Sequence, residues 1–255
     1  MASAERFGFQ WNKYSDMEPK YKEQLEKWML PMTPADFKNK EVLDAGCGMG
    51  RNSYWILEWG AKKLMAFDYD ERSVRAASKN LEKFTNATVA YENIYDIKWQ
   101  DAFDVVFSVG VIHHLKEPKR ALENLVRALK SGGVIFVWVY SREGYEWLTK
   151  YIDPIRKNVT SKLPVSAVYY LAYIFSIPLW AFTKIFRGPT PYLKQLAGFK
   201  FWHVHCIVLD QLIPEVANYW TREEAENLLK DLNLKNLRIH RPPNDCGWTI
   251  IAEKS

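Results

Sequence analysis

The sequence predicts an α/β protein, a doubly wound and mostly parallel sheet covered by helices on both faces, and three observations predict it. Short, near-continuous apolar runs alternate with amphipathic helical stretches between residues 41 and 142. The first of these runs ends in Asp44 and breaks into a turn carrying Gly46, Gly48 and Gly50, which opens a helix. The chain then finishes in two apolar runs joined by a short Pro242-Pro243 link, which pairs strands antiparallel. Together they imply seven strands, with an antiparallel C-terminal edge strand and a helical insertion after the fifth.

The elements follow in order. After the glycine turn, residues 51–59 place Trp55 and Trp59 on one helical face and stop at Gly60. Residues 63–68 are a strand, 71–84 a charged helix with Val74, Ala77 and Leu81 at helical spacing, and 87–91 a strand. Residues 103–108 read as a buried strand, and 118–129 as a helix with proline at its first position. Ser131-Gly132-Gly133 turns into the strand at 134–140. Thr221 and Glu224 form a capping box before a helix at 225–232, and the last strands are 237–241 and 248–252.

Composition bounds the rest. A chain of 255 residues, 48% hydrophobic, buries one large core or one core plus an insertion. The sequence divides into an N-terminal helical segment (1–40), read either as a lid or as a helix that Phe7, Phe9 and Trp11 staple to the body, a catalytic body (41–142 and 216–255) and an inserted helical cap (143–215). Three widely spaced cysteines, Cys47, Cys206 and Cys246, argue against a disulfide framework and for a reducing compartment. The first residues lack the basic and apolar regions of a signal peptide, so the expected location is cytoplasmic. The net charge of +5 is too small to argue for nucleic acid, and no basic-aromatic recognition motif accompanies it. Eight basic residues against Asp153 alone crowd residues 150–200.

The glycine turn decides the ligand. A dinucleotide site requires G-x-G-x-x-G and a phosphate loop requires G-K-[ST], and neither spacing is present. The acid stands before the glycines instead, and this D-x-G-x-G-x-G order resembles motif I of the class I S-adenosylmethionine (SAM)-dependent methyltransferases. The resemblance covers residues 40 to 140 and implies a Rossmann-like methyltransferase fold with SAM as cofactor. It assigns Asp44 to the methionine end of the cofactor, and Ala45, Gly46, Cys47, Gly48, Gly50 and Asn52 to the loop and helix start around it. Asp68, closing the second strand, is the acid for the ribose hydroxyls, and Tyr69 beside it covers the adenine ring. Asn93 stands where many relatives carry Asp, and with Ile94 it is expected against adenine. Ser108 and Val109 end the fourth strand, where ligands of open α/β sheets collect.

Val109 to Leu115 resembles the V-L-H-H-L segment of small-molecule methyltransferases of the ubiquinone-biosynthesis type. His113 or His114 is a candidate general base for the acceptor, the alternatives being a pocket-shaping role or catalysis by proximity alone. Phe7-Gly8-Phe9-Gln10-Trp11 and the run after Tyr140 resemble a subgroup often associated with surface polysaccharide and other secondary biosynthesis. Trp11, Tyr14, Tyr140, His203 and Tyr219 are the acceptor-side candidates. His203 and His205 lack a third ligand in sequence, so no metal is expected.

Residues 163–183 carry no charge and are flanked by Lys162, Lys184 and Arg187. Two readings stand: a cap roofing the active site, which the sequence favours, and an interfacial hairpin resting on lipid, which makes the protein membrane-peripheral through 163–187. The sequence reading is a SAM-dependent methyltransferase acting on an oxygen or nitrogen of a small or lipid-linked molecule, such as a sugar of surface polysaccharide or glycolipid, with no nucleic-acid partner. Its rivals are a non-catalytic SAM-binding regulator and a quinone or lipid C-methyltransferase.

Overall fold

The computed structural model describes residues 2–187, 190–243 and 247–255. Two helices, α1 (Ala2–Lys13) and α2 (Lys20–Trp28), precede the sheet. The sheet then alternates with helices: β1 (Glu41–Ala45), α3 (Arg51–Glu58), β2 (Lys63–Asp68), α4 (Glu71–Leu81), β3 (Ala87–Tyr91), β4 (Phe103–Val109), α5 (Pro118–Ala128) and β5 (Leu129–Tyr140). The insertion follows as a π-helical stretch, Leu148–Ile152, running into α6 (Asp153–Asn158), then α7 (Val165–Leu171), α8 (Tyr173–Phe186), α9 (Pro191–Ala197) and α10 (Phe201–Leu212). The chain returns through α11 (Arg222–Asn227) to β6 (Leu234–His240) and β7 (Gly247–Lys254).

The seven strands lie in the order β3-β2-β1-β4-β5-β7-β6. The first five are parallel, and β7 enters antiparallel to β5, pairing Tyr140 with Gly247 and Val134 with Glu253. The terminal hairpin therefore occupies one edge, with β7 against β5 and β6 outermost. Part of the link expected between them, Asn244 and Asp245, lies outside the described residues, as does Cys246.

Alternation along each strand builds the two faces. Leu43, Val106, Ile135 and Val137 pack with Leu122 and Leu125 of α5 and Leu229 after α11. Their neighbours Val42, Val105, Phe107 and Phe136 pack on the opposite face with Leu25 of α2, Ile56 of α3 and Ala77 of α4. Phe107 and Phe136, paired in register on β4 and β5, stack at 5.3 Å. Fully burying each such side chain contributes about 1.5–3 kcal/mol before entropy is counted, so two cores of this size fix the sheet that carries the site.

Local signals set the ends. Asp70 caps α4 by accepting from Arg72 N (2.9 Å) and Ser73 N (3.3 Å). The Thr221–Glu224 capping box is present, with bonds of 2.9 and 3.3 Å, but α11 is shorter than the expected 225–232 helix. Strand β5 starts at Leu129 rather than 134, because Leu129 pairs with Phe103 across a bulge before the regular ladder resumes.

The insertion is tied back to the body. Val168, Tyr169 and Ala172 of the α7 region pack with Leu209 and Leu212 of α10 and with Phe7 and Phe9 of α1. The outer face of α8 has no such partner: Ile174, Ile177 and Ile185 are exposed, and its buried positions are Ser176 and Thr183.

Candidate active site

Strand β1 ends and the chain reverses through Gly46 (φ 81°) and Gly48 (φ 56°). A Cβ on Gly46 would stand 2.5 Å from Val111 Cγ2, and one on Gly48 would stand 2.9 Å from Trp11 Nε1. Both positions thus require glycine for conformation and for space. The amides of Gly46 and Cys47 donate to Phe67 O, each at 2.9 Å, locking the loop to the end of β2. The Gly48 amide donates to Asp68 Oδ2 at 2.9 Å, and the Asp70 amide to Asp68 Oδ1 at 3.1 Å. Burial pushes the Asp68 carboxyl up to about 6 in spite of these donors.

This loop floors a cavity of about 1000 Å³. Gly46, Cys47, Gly48, Asn52, Asp68 and Tyr69 line one end, with Ile94 and Glu92 beside them. Helix α1 contributes Phe7, Gln10 and Trp11, and the insertion roofs the space with Phe175, Leu179, Leu196 and His203. The far end is lined by Val109, Val111, His114, Trp138, Tyr140 and Tyr219, with Asp210 and Gln211 from α10. Thirteen of the sequence-derived candidates therefore share one cavity: Trp11, Gly46, Cys47, Gly48, Asn52, Asp68, Tyr69, Ile94, Val109, His114, Tyr140, His203 and Tyr219.

Seven candidates lie elsewhere, each for a physical reason. Asp44 is buried behind the loop, where its carboxylate accepts from Ser53 Oγ at 2.6 Å, and burial pushes it up to about 7. Ala45 uses its carbonyl to accept the Ser108 hydroxyl at 2.8 Å, so the Ser108 side chain turns into the sheet. Gly50 starts α3 against Ala77 of α4, which makes it a helix-packing residue. Asn93 does not line the cavity: its Nδ2 donates to Asp96 Oδ2 (2.8 Å) and its Oδ1 accepts from Tyr95 N (3.1 Å), which holds the amide within its own turn. Tyr14 packs in the α1–α7–α10 cluster, away from the cavity.

The seventh is His113. His113 is fully buried, does not line the cavity, and stacks behind Tyr140 with ring centroids 3.7 Å apart. Burial and the neighbouring His114 and Arg156 hold it well below the usual imidazole range, so it is a neutral packing group. His114 does line the cavity, with Nδ1 2.8 Å from Val216 O. A carbonyl only accepts, so Nδ1 carries the proton and Nε2 is the ring's acceptor. Burial draws His114 down to about 4, Asp210 opposing the shift. His203 and His205 sit on helix α10 and diverge: His203 stacks on Phe199 at 3.8 Å while His205 meets Ser176 Oγ at 2.7 Å. No group of three or more metal-ligating side chains occurs among the described residues.

Sequence reasoning missed Arg51 and the acceptor-end network. The Arg51 guanidinium lies over the rings of Trp11 (5.1 Å), Tyr21 (5.4 Å) and Trp28 (5.5 Å), bringing a cation to the cavity wall beside the glycine loop. At the other end Tyr140 Oη donates to Asp210 Oδ2 (2.7 Å) and accepts from Gln211 Nε2 (3.2 Å). Tyr219 Oη donates to Gln211 Oε1 (3.4 Å) and accepts from the buried Arg156 (3.3 Å), which is ion-paired with Asp153. Arg51 had a sequence signal, being the first residue after the glycine turn. Asp210 and Arg156 had none, because both lie in the insertion, outside any motif.

Comparison with known proteins now bears on this site. A methyltransferase-domain family matches residues 43–137. A tRNA U34 carboxymethyltransferase of Campylobacter hominis is 31% identical over 150 residues, which are 57% of this chain and 50% of that protein. One from Helicobacter pylori is 33% identical over 113 residues, 42% of this chain and 43% of that protein. The chain thus spans about half the length, or less, of these curated relatives. Among solved structures, a SAM-dependent methyltransferase from Aquifex aeolicus superimposes with a TM-score of 0.54 at 15% identity, covering 94% of this chain and all of that one. The magnesium protoporphyrin IX methyltransferase of Synechocystis with bound S-adenosylhomocysteine gives a TM-score of 0.55 at 14% identity, covering 97% and 84%. The fold is that of the class I methyltransferases. The relatives overturn the acceptor drawn from sequence: they are named for a tRNA nucleotide, so the small or lipid-linked acceptor and the exclusion of nucleic acid are both corrected. The physical reason is that much of the acceptor end is lined by residues outside 43–137, Trp138, Tyr140, Asp210, Gln211 and Tyr219, which belong to no cofactor motif read from the sequence.

Proposed function

We propose that this chain, a class I SAM-dependent methyltransferase with SAM as its cofactor, methylates a nucleophile of an RNA base. The observation that carries the acceptor class is the sequence match to enzymes named for tRNA U34, and the shape of the cavity agrees with it. Flat rings line the cavity's far end: Tyr140 and Tyr219 stack at 5.5 Å with planes 20° apart, and Trp138 lies edge-on to Tyr140 at 5.6 Å. Unstacked RNA bases are held on such aromatic faces. A cytoplasmic setting goes with an RNA acceptor.

The loop fits the cofactor. The tight backbone at Gly46 and Gly48 leaves no Cβ in the way, Asp68 presents a carboxylate for the ribose hydroxyls, and Ile94 and Tyr69 offer apolar surface to the adenine. Glu92 takes the polar role expected of Asn93. Arg51 lies where it would meet a ligand carboxylate. When bound, the sulfonium supplies an electrophilic methyl carbon and a neutral thioether leaving group. The protein aligns the acceptor against Tyr140 and Tyr219, excludes water with α1 and the insertion, and offers His114 Nε2, neutral above about pH 4, to take the acceptor's proton.

The test is transfer of label from methyl-tritiated SAM to an unmodified tRNA transcript, with calorimetry of SAM binding alongside. Label in the RNA is expected, and Asp68→Ala should weaken SAM binding by about 1.5–3 kcal/mol, the scale of a charge-assisted hydrogen bond. Tight SAM binding with RNA left unlabelled would sink the acceptor while leaving the cofactor site intact.

A further inference from the structure

We propose that the protein docks on an anionic lipid bilayer through the outer face of its insertion, formed by residues 147–159 and helix α8. This goes beyond the RNA reading and does not rest on it.

Helix α8 is inverted relative to a helix packed on a globular core. Its buried positions are hydroxyls, Ser176 bonded to His205 Nδ1 at 2.7 Å and Thr183 donating to Trp180 O at 2.8 Å. Its exposed positions are Ile174 (65%), Ile177 (52%), Ile185 (72%) and Phe186 (62%), continued toward the N-terminus by Tyr170 (71%) on α7. A helix facing water on that side would show the opposite pattern. The stretch before it does the same: Trp147, Tyr151, Ile155 and Val159 recur every four residues and are all about half exposed or more. Ile155 and Trp147 line the same cavity as Phe175 of α8. Exposed large apolar side chains clustered on one helix face in this way mark an interaction surface.

Charge selects the occupant. Between residues 147 and 200 the only acid is Asp153, and it is already paired with Arg156 and Lys157. Lys150, Lys162, Lys184 and Arg187 are exposed around the apolar positions. Aromatic and branched aliphatic side chains bordered by lysine and arginine suit the headgroup boundary of an anionic leaflet. A second copy on the same face would bring two basic rims together in an isologous contact. An RNA would engage the cations but leave the isoleucines without an apolar partner.

The helical stretch 165–186 is long and apolar enough to cross a membrane. The chain on its two sides nevertheless belongs to one sheet, since Tyr140 of β5 pairs with Gly247 of β7. The segment therefore lies along the surface of the bilayer instead of crossing it.

The experiment is co-sedimentation of the full chain with phosphatidylcholine vesicles with and without phosphatidylglycerol, repeated for Ile174→Glu/Ile185→Glu and for Lys162→Glu/Arg187→Glu. All four positions are exposed, and circular dichroism verifies that each variant is folded. Binding to the anionic vesicles, weaker binding to neutral ones, and a drop of about tenfold or more in partitioning for either variant are expected. The proposal is overturned if the wild-type protein stays in solution with anionic vesicles, or if the folded Ile variant partitions as well as wild type. Wild-type dimers in sedimentation velocity that the Ile variant dissociates, without vesicle binding, would assign the face to a second copy. Loss of tRNA binding in the charge variant, without vesicle binding, would assign it to RNA. The vesicle and dimer results leave the wild-type methyl-transfer assay above unchanged, so failure of the docking face and failure of the RNA reading are told apart.

Discussion

The Tyr140 hydroxyl donates a 2.7 Å hydrogen bond to Asp210 Oδ2, joining the last residue of β5 to helix α10 of the insertion. Asp210 Oδ1 also lies 3.4 Å from Gln10 Nε2, so one carboxylate ties together α1, the sheet and the insertion at the acceptor end of the cavity. Burial and the adjacent Asp210 hold the Tyr140 phenol well above its ordinary range, which keeps it a donor at every working pH.

Tyr140→Phe removes the donor and leaves Asp210 partly desolvated. Stability should fall by about 1.5–3 kcal/mol, the value of a hydrogen bond to a charged group, measured by urea unfolding. In the transfer assay the acceptor KM should rise while SAM affinity stays unchanged. Equal losses in both would place Tyr140 at the cofactor end instead.

Gly8→Ala should detach α1. A Cβ at Gly8 overlaps the Asp70 carboxyl, the group that caps α4, so the substitution cannot be absorbed by a flexible side-chain tip. Limited proteolysis should then cut within residues 2–13 while the sheet survives, and SAM should bind more weakly because Trp11 no longer covers Gly48. An unchanged digestion pattern would mean that α1 docks through Phe7 and Gln10 alone.

Asp44→Asn should reverse a pH dependence. Burial raises the folded Asp44 from the ordinary carboxylate range to about 7, so the protonated form is favoured in the fold. That stability is fully present below the unfolded value and is lost as pH rises through about 7. Asn stays neutral and keeps an acceptor for Ser53 Oγ. Relative to wild type, the variant should therefore gain about 2–3 kcal/mol on going from about pH 5 to about pH 8, measured by urea unfolding at both. A flat difference would show that Asp44 is ionised in the fold.

Much of the cofactor half was legible from local pattern. Alternating apolar runs and glycine spacing are short-range, so β1 and the turn at Gly46 and Gly48 are legible from their neighbours alone, and Asp68 lines the cavity that turn floors. Asn93 does not line the cavity, and its side chain bonds Asp96 and Tyr95 within the same turn, a choice that a family pattern does not reveal. His113 and His114 are adjacent in sequence, yet only one reaches the cavity.

The sequence by itself determined the doubly wound sheet, its glycine loop and the position of the insertion, because each follows from periodicity and turn chemistry within a few residues. Only the tertiary structure decided that Asp210 faces Tyr140, that Arg156 supports Tyr219, and that α8 turns its isoleucines outward. Those contacts join segments up to about 70 residues apart, from Tyr140 to Asp210, and depend on how the insertion folds back over the sheet. Which face of an apolar helix meets the core is settled by its packing partners, and no local pattern in residues 163–187 specifies them.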